Sequence, residues 1–275
     1  MILGDKYQVL EKERSSKYGQ FWRAKRTKDG TVVSVRMLKP TLFLDPNATV
    51  RFERETRVLR KFKHPNLLQV IGHGRTQKGL PYLITEHRDG RSLGDEIGEL
   101  SVERVCHIAM QIAAVLAAAH SEGIVHRGLE PDAILLCENG ADPDHVKVLD
   151  FGLAHMTSDS GEAQLTQVGQ RLGKAEYLAP EYIADLHLDA RSDVYVMGVI
   201  TFEMLAGQPP FVGPSSKVLQ KHLNDEPWAP SELCEGVVPK WLDDLVLACL
   251  AKSPDDRPQT GLQVARAFAY RQYPV

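Results

Sequence analysis

The chain is poor in cysteine, in aromatic side chains and in long apolar runs. Only 4 of its 275 residues are cysteines, and 7% are aromatic. The cysteines are Cys106, Cys137, Cys234 and Cys249. Because no two of them form a C-x-x-C pair, we expect reduced thiols and neither a disulfide framework nor a zinc site.

Signals for export or for membrane insertion are also missing. The first ten residues, MILGDKYQVL, contain no basic region followed by an apolar run. The most apolar segment, residues 108–119, is interrupted by Gln111 and is shorter than the roughly 20 residues that a membrane-spanning helix needs. We therefore expect a cytoplasmic domain, linked to a membrane only through segments outside this chain.

The charge of the chain changes sign part of the way along it. Residues 1–86 hold 18 Lys and Arg against 8 Asp and Glu, whereas residues 87–275 hold 15 against 28. A basic half can attract an acidic partner or a nucleic acid. Since its charges are scattered, we interpret them as a solvated surface and predict no specific nucleic-acid partner.

Apolar and polar residues alternate at the start of the chain, which predicts an antiparallel sheet of five strands. The turn Lys28-Asp29-Gly30 predicts a hairpin between the second and third strands. One helix is expected before the last two strands, with Glu55, Val58, Leu59 and Phe62 on its inward face. The predicted strands are 7–13, 20–26, 31–38, 67–71 and 81–86, and the predicted helix is 51–62.

The rest of the chain is predicted to be mainly helical. A long helix begins at Ser101, a good N-cap residue, and ends near Gly123. Short apolar runs at 133–137 and 146–149 predict a hairpin. Further helices are predicted at 192–206, 215–224, 239–251 and 261–270.

Several short motifs occur along the chain in a fixed order. They are Val33-Ser34-Val35-Arg36, His64-Pro65-Asn66, the loop His126–Leu136 (HRGLEPDAILL), Asp150-Phe151-Gly152, Ala179-Pro180-Glu181, Ser192-Asp193-Val194-Tyr195 and Arg257. With these motifs the chain resembles the protein kinase family, in particular the bacterial Ser/Thr kinases of eukaryotic type, from residue 7 to residue 270. The resemblance implies that Arg257 pairs with Glu181.

The resemblance implies an α+β, bilobal protein-kinase-like fold. Residues 1–86 would form the N-lobe, a five-stranded antiparallel sheet plus one helix, and residues 87–275 a mainly helical C-lobe. The two lobes together would make one protein kinase domain. The family's internal column of apolar residues maps onto Leu59, Val70, Phe151 and His126, anchored by Asp193.

The resemblance also shows which catalytic residues are missing. In the family, the loop H-R-D-x-x-x-x-N supplies an Asp that accepts the substrate proton and an Asn that binds a metal ion. Gly128 replaces that Asp, Ala133 replaces that Asn, and Glu130 replaces the family's Lys. We predict no intact catalytic residue, and the spacing of the loop turns the nearest other carboxylate, Asp132, away.

A nucleotide pocket survives only in degenerate form. Of the family's three loop glycines, which are needed for backbone N–H groups to approach phosphates, only Gly19 is present. Phe21 would fill much of the adenine space, unless the loop shifts to admit the base. The pocket implied by the resemblance is lined by Gly19, Phe21, Ser34, Arg36, Glu55, Thr85, Glu86, His87, Leu135 and Asp150.

No cofactor is expected, although ATP with Mg²⁺ stays an open alternative. Arg36 replaces the family's phosphate-binding Lys, and we predict a fork-shaped structural ion pair with Glu55. Asp150 would hold Mg²⁺ only with a nucleotide, or would simply form a local hydrogen bond. Thr166 lies near a position that bacterial members phosphorylate, and Lys174 replaces the Thr of the family's G-T pair.

These residues predict a catalytically inactive kinase homologue, a pseudokinase, that serves as a protein-binding or allosteric signalling module. The alternative is a low-activity or unconventional Ser/Thr kinase or nucleotidyl transferase that uses Asp150. The expected partners are a signalling protein or an active kinase, and a homodimer stays open. A third hypothesis is an adaptor that an active kinase phosphorylates at Thr166.

Overall fold

The computed structural model describes residues 1–15, 19–149, 174–184, 186, 188–234 and 237–274. These residues form two compact units that divide between Asp89 and Gly90. The domain limits predicted from the sequence lie three residues earlier. Asp150, Phe151 and Thr166 fall outside the described residues, so the predictions made for them stay predictions.

The first unit is built on an antiparallel sheet with the strand order β1-β2-β3-β4-β6-β5. Its strands are β1 (Ile2–Leu3), β2 (Tyr7–Ser15), β3 (Gly19–Arg26), β4 (Val32–Leu38), β5 (Val70–Arg75) and β6 (Pro81–Glu86). The two-residue β1 is added to the five strands that the sequence predicted. The turn between β3 and β4 is the predicted hairpin, with Gly30 at φ 75° and its N–H bonded to the Arg26 carbonyl at 2.9 Å.

One face of this sheet carries the apolar core of the first unit. Alternate residues of β3, β4 and β6 point to that face, where they are fully buried. The core residues are Leu3, Ala24, Val33, Val35, Met37, Tyr82 and Ile84. The opposite face is therefore formed by the residues between them.

The helix of the first unit, α1, spans Pro46–Lys61 and begins five residues before the predicted start. Glu55 and Leu59 are buried as expected, but Val58 is 36% exposed, so its inward assignment was wrong. Strand β5 also lies later than predicted. The N–H groups of Asn66 and Leu67 bond to His64 and form a turn there, and the strand begins at Val70.

The second unit is mainly helical, as predicted. Its helices are α2 (Leu93–Glu96), α3 (Val102–Ser121), α4 (Pro180–Ile183), α5 (Ala190–Ala206), α6 (Ser215–Asn224), α7 (Lys240–Cys249) and α8 (Gly261–Tyr270). A small sheet of β7 (Arg91–Ser92), β8 (Ile134–Asn139) and β9 (Asp142–Val148) joins them in the order β7-β8-β9.

Helix α3 is the longest helix described and lies in the core of the second unit. The Ser101 side chain caps it by accepting from the Arg104 N–H, and Gly123 follows it at φ 70°. The Gln111 side chain donates to the Asp144 carbonyl and accepts from the Val146 N–H, which ties α3 to β9. A polar residue inside this apolar helix is thus satisfied by a strand edge.

Among the described helices, α3 alone is long and apolar enough to cross a membrane by length and composition. Residues 108–119, the apolar segment that is too short by itself to span a membrane, lie inside this 20-residue helix. Half of its apolar window is buried inside the structure, as in the core helix of a folded unit.

Helix α5 is surrounded by protein, and its neighbours approach closely at glycines. A Cβ on Gly198 would lie 2.7 Å from the Cβ of Cys249 in α7. A Cβ on Gly261 of α8 would lie 2.7 Å from the Ala117 backbone nitrogen, in the Ala-rich half of α3. Small residues at these crossings let the helices pack in direct backbone contact.

A buried histidine connects α6 to α5. His222 is fully buried, and its Nδ1 lies 2.8 Å from the Tyr195 hydroxyl. Its Nε2 has no hydrogen-bond partner among the described residues. Phe211 packs edge-on against the imidazole, and Lys252 lies over the Phe211 ring. Burial, and then the Lys252 charge, lower the pKa of His222 to about 4.

This pKa predicts a loss of stability of the second unit in mild acid. The folded value lies below the ordinary histidine pKa of about 6.5. The contribution of the neutral imidazole is therefore complete above pH 6.5 and is lost as the pH falls toward 4. We expect acidification from pH 7 to pH 5 to lower the free energy of unfolding by about 2 kcal/mol through His222. His222→Gln, which cannot be protonated, should lack this component.

The measurement is urea unfolding at both pH values in a Trp22→Phe background, so that Trp228 and Trp241 report on the second unit. His73→Gln, at an exposed position of the first unit, is the control and should leave the pH dependence unchanged. An equal pH dependence in wild type and His222→Gln would contradict the prediction.

Candidate functional site

The strand register of the first unit brings the predicted pocket residues to one face of its sheet. Phe21 is the cross-strand partner of Arg36, and Ser34 is the partner of Thr85. Directly paired side chains lie on the same side of a sheet. This face, opposite the apolar core, thus carries Phe21, Ser34, Arg36 and Thr85.

Arg36 forms the expected ion pair with Glu55 of α1. Arg36 Nη2 lies 2.8 Å from both Glu55 oxygens, and both side chains are about 6% exposed. The predicted fork geometry was wrong, since one nitrogen serves both oxygens, and Arg36 Nε has no partner among the described residues. The guanidinium also lies 4.9 Å from the centre of the Phe52 ring. These contacts hold α1 against the sheet.

Gly19, the one retained loop glycine, lies against the stem of Arg36. A Cβ at position 19 would come within 3.2 Å of Arg36 Cγ and 3.3 Å of the Met37 carbonyl. A larger residue would be crowded there, so packing favours glycine at position 19 apart from any role toward phosphate. Residues 16–18 of the same loop lie outside the described part of the chain.

Phe21 is covered by an arginine. The Arg14 guanidinium lies 3.5 Å from the centre of the Phe21 ring, which is a cation–π contact. The sequence shows Arg14 at the position of the family's first loop glycine. The two replacements thus form one stacked pair on this face of the sheet.

His87 connects the end of β6 to the same face. Arg23 Nη2 lies 3.0 Å from His87 Nε2, and Ser34 Oγ lies 2.9 Å from His87 Nδ1. His87 Nε2 also lies 3.2 Å from Asp89 Oδ1, so this nitrogen faces both a guanidinium donor and a carboxylate acceptor. Arg23 also pairs with Glu13 and with Asp89. The polar groups around the predicted adenine position therefore bind one another.

The remaining pocket residues lie in both units. Glu86 accepts from the Gln69 N–H through one oxygen and from Arg88 Nε through the other. Leu135 lies in β8 of the second unit and is half-buried. Asp150 lies outside the described residues, so no metal position can be placed beside it.

In the second unit, a buried carboxylate fixes the start of the degenerate catalytic loop. Asp193 of α5 accepts from the His126 N–H at 2.7 Å and from the Arg127 N–H at 2.9 Å. His126 Nδ1 accepts from the Gly128 N–H at 3.3 Å, so its Nε2 donates to the Leu149 carbonyl at 2.9 Å. The predicted anchoring of His126 by Asp193 is confirmed.

The loop then turns through a short 3₁₀ helix, Pro131–Ala133, into β8. The Ala133 N–H bonds to the Glu130 carbonyl, and the Leu149 N–H bonds to the Ala133 carbonyl at 2.8 Å. Ala133 is buried, whereas Gly128 is exposed. The backbone is thus held at both altered positions, but their side chains provide no acid, base or metal ligand.

Asp132 is turned toward two other groups. Its Oδ1 lies 3.3 Å from Ser92 Oγ, and its Oδ2 lies 2.6 Å from Lys174 Nζ. These contacts identify the partners of the carboxylate, and its predicted orientation away from the position of the family's catalytic Asp stays a prediction. The contact with Lys174 was missed by sequence reasoning, although Lys174 itself was recognised as a departure from the family pattern.

Residues 174–178, here called the platform, are held by a contact with α5. The Tyr177 hydroxyl donates to Glu203 of α5 at 2.7 Å. Burial raises the pKa of Glu203 and opposes the hydrogen bond from Tyr177, which lowers it. Next along the chain, Arg257 binds both oxygens of Glu181 at 2.9 Å, so the predicted Glu181–Arg257 pair is confirmed.

Comparisons with known proteins point to one family. A model of the protein kinase domain matches residues 7–268. The chain is 37% identical over 239 residues to serine/threonine-protein kinase PknB of Mycolicibacterium smegmatis, a match covering 84% of this chain and 37% of the relative. It is 34% identical over 260 residues to serine/threonine-protein kinase pkn3 of Myxococcus xanthus, covering 92% and 47%. The chain spans less than half the length of these relatives.

Solved structures support the fold. The PknI kinase domain of Mycobacterium tuberculosis matches with a TM-score of 0.73 at 22% identity, covering 98% of both chains. At this identity the match shows the fold alone, and it confirms the expected kinase architecture.

The buried Arg36–Glu55 pair predicts a large effect of removing one charge. Glu55→Gln leaves the guanidinium buried without a carboxylate and should lower the stability of the first unit by about 3–5 kcal/mol. Arg36→Met combined with Glu55→Leu removes both charges and should cost much less. Hydrogen exchange of the β4 amides measures both effects.

The matched control is Glu53→Gln on the same helix. Glu53 pairs with Arg75 at 2.6 Å, but the two side chains are 45% and 49% exposed. Such a pair contributes about 1 kcal/mol or less. Equal losses of protection from Glu53→Gln and Glu55→Gln would show that the burial of the Arg36–Glu55 pair has no energetic consequence.

Proposed function

Because this chain belongs to the protein kinase family, we propose that it is a catalytically inactive member, a pseudokinase, that acts as a protein-binding or allosteric signalling module. Its family includes bacterial Ser/Thr kinases. The proposal concerns what this member has lost and what it has kept.

The observation that supports the proposal most is an intact frame around replaced chemical groups. Asp193 still holds the backbone of His126 and Arg127, and Arg257 still binds Glu181. Within that frame, Gly128 has no carboxylate to accept a proton and Ala133 has no oxygen to bind a metal ion. Glu130 adds a negative charge where the family has a positive one.

The size of these losses supports inactivity. A positioned general base contributes roughly 10²- to 10⁴-fold to a rate, and a preorganised charge at the transition state roughly 10²- to 10³-fold. A kinase turnover of about 1 to 100 s⁻¹ would not remain useful after both losses, even though such factors do not simply multiply.

The first unit fits a magnesium nucleotide poorly. Arg14 stacks on Phe21, and Ser34 is engaged by His87, so the sheet face is covered by its own side chains. Arg36 directs its Nη2 at Glu55, and a planar guanidinium does not copy the point charge of an ammonium on two phosphates. These contacts favour weak or absent ATP binding.

A protein kinase fold that is retained without the catalytic side chains favours binding to another protein. We propose a signalling protein or an active kinase as partner, with a homodimer as an alternative, and a cytoplasmic location for this domain. No specific nucleic-acid partner is proposed. Any membrane attachment would come from segments outside this chain.

A second function is a low-activity phosphoryl or nucleotidyl transferase that works through Asp150. Radiolabel transferred from ATP by wild type and lost in Asp150→Ala would favour it. A third is an adaptor phosphorylated at Thr166. Partner binding that is the same for wild type, Thr166→Ala and Thr166→Glu would count against the adaptor.

The nucleotide prediction is tested by thermal unfolding with 1 mM ATP and Mg²⁺. A ligand present at about 100 times its Kd stabilises by about 2.7 kcal/mol, which raises the Tm of a chain of this size by several degrees. We expect a shift below about 1 °C for wild type. Phe21→Val combined with Ser34→Ala should increase the shift, because it uncovers the sheet face.

Lys12→Ala is the control. Lys12 is exposed and pairs with Trp22, on the other face of the same strands, so its removal should not change the response to ATP. A shift of several degrees in wild type would overturn the proposed weak or absent ATP binding, and transfer of labelled phosphate to a protein by wild type would overturn the proposed inactivity.

A further inference from the structure

Two of the positions that depart from the family pattern interact with each other. Glu130 replaces a family Lys on the catalytic loop, and Lys174 replaces a family Thr on the platform. Lys174 Nζ lies 2.6 Å from Oδ2 of Asp132, two residues after Glu130 on the loop, and the negative charge of Glu130 helps to raise the pKa of Lys174. The positive charge of this region has thus moved from the loop to the platform.

Lys174 is held in place by a fixed carboxylate. Its Nζ lies 2.6 Å from Asp132 Oδ2, and Ser92 Oγ holds the other oxygen of Asp132. A Cβ on Gly94 would lie 2.7 Å from Asp132 Oδ1, so the glycine leaves room for this carboxylate. Asp132 is therefore set by its own neighbours to receive a cation from the platform.

The charges around Lys174 keep its ammonium protonated. Burial lowers the pKa of Lys174, but the hydrogen bond to Asp132 and the charges of Glu130, Asp132 and Glu203 raise it above its ordinary value. Glu176, on the platform itself, adds another carboxylate close to Glu203. Lys174 thus lies among the carboxylates of Glu130, Asp132 and Glu203.

We propose that Lys174 is a positioning residue that compensates for the charge reversal at Glu130. It ties the platform to the turn that carries Asp132, and Glu130 and Lys174 form one exchanged pair. This inference rests on the proposed function. The family's Lys at position 130 faces phosphate, whereas the Lys174–Asp132 ion pair holds the platform in place.

The exchange predicts that the two positions depend on each other. In wild type, Lys174 is attracted by Glu130 and by Asp132. After Glu130→Lys, the new ammonium repels Lys174 and competes with it for Asp132. Lys174 then no longer stabilises the platform, and its removal has little further effect.

The test is a double-mutant cycle on the purified chain, read by hydrogen exchange of the platform. The Tyr177 N–H, which bonds to the Lys174 carbonyl at 3.1 Å, is the reporter. Lys174→Thr should speed its exchange roughly two- to fivefold, as expected for losing a half-exposed ion pair. In a Glu130→Lys background, Lys174→Thr should cause no acceleration.

Two controls separate charge from packing. Lys174→Arg keeps the charge and should retain the protection of wild type. The difference between wild type and Lys174→Thr should shrink at 1 M salt, because exposed charges are screened, whereas lost packing of the Lys174 stem would not respond to salt. Exchange of the Ile112 amide in α3 should be the same in all variants.

The outcomes are distinct. Unchanged exchange in Lys174→Thr would overturn the tether, and equal acceleration in both backgrounds would overturn the compensation. No nucleotide is used in these measurements. Phosphate transfer by wild type would therefore overturn the proposed inactivity, and ATP binding the proposed covered pocket, without changing the result of the cycle.

Discussion

The carboxylate of Asp193, buried in the middle of the second unit, accepts hydrogen bonds from the backbone of His126 and Arg127. Its Oδ2 also lies 3.0 Å from His120 Nε2 at the end of α3. One side chain thus joins α5, α3 and the start of the degenerate loop. A buried carboxylate needs such donors, because an unsatisfied one would be very costly. The loop is consequently fixed by backbone contacts that do not depend on which side chains it carries.

This independence explains how chemistry and architecture separate in this protein. Gly128 and Ala133 change what the loop offers to a substrate but leave its N–H and carbonyl groups bonded as before. In the first unit the replacements have the opposite character. Arg14 stacks on Phe21, and Ser34 hydrogen-bonds to His87. The side chains on this sheet face therefore contact one another.

Most of the fold could be predicted from the sequence, because periodicity and capping residues are local signals. Helices α6 and α8 have the predicted bounds, and α3 begins after its predicted cap Ser101. Errors arose where a turn competed with an apolar run. Leu67 is apolar, but its N–H closes a turn at His64, and β5 begins at Val70.

The candidate site was predictable where motifs fix a pair and unpredictable where the partner is distant and has no motif. The pairs Arg36–Glu55 and Glu181–Arg257 followed from the family pattern. The contacts of Arg23 with His87 and of Lys174 with Asp132 join residues 64 and 42 positions apart. Only the three-dimensional fold brings such residues together, because sequence spacing carries no signal for them.

The backbone conformation of Arg127 bears on how selection maintains this loop. Arg127 has φ 60°, the left-handed region, which costs a residue with a side chain roughly 1–2 kcal/mol. In an enzyme, selection for turnover can maintain such strain. If this chain is a pseudokinase, as we propose, the strained arginine is either an inheritance that mutation will replace, or a sign that something other than catalysis still selects the shape of this loop.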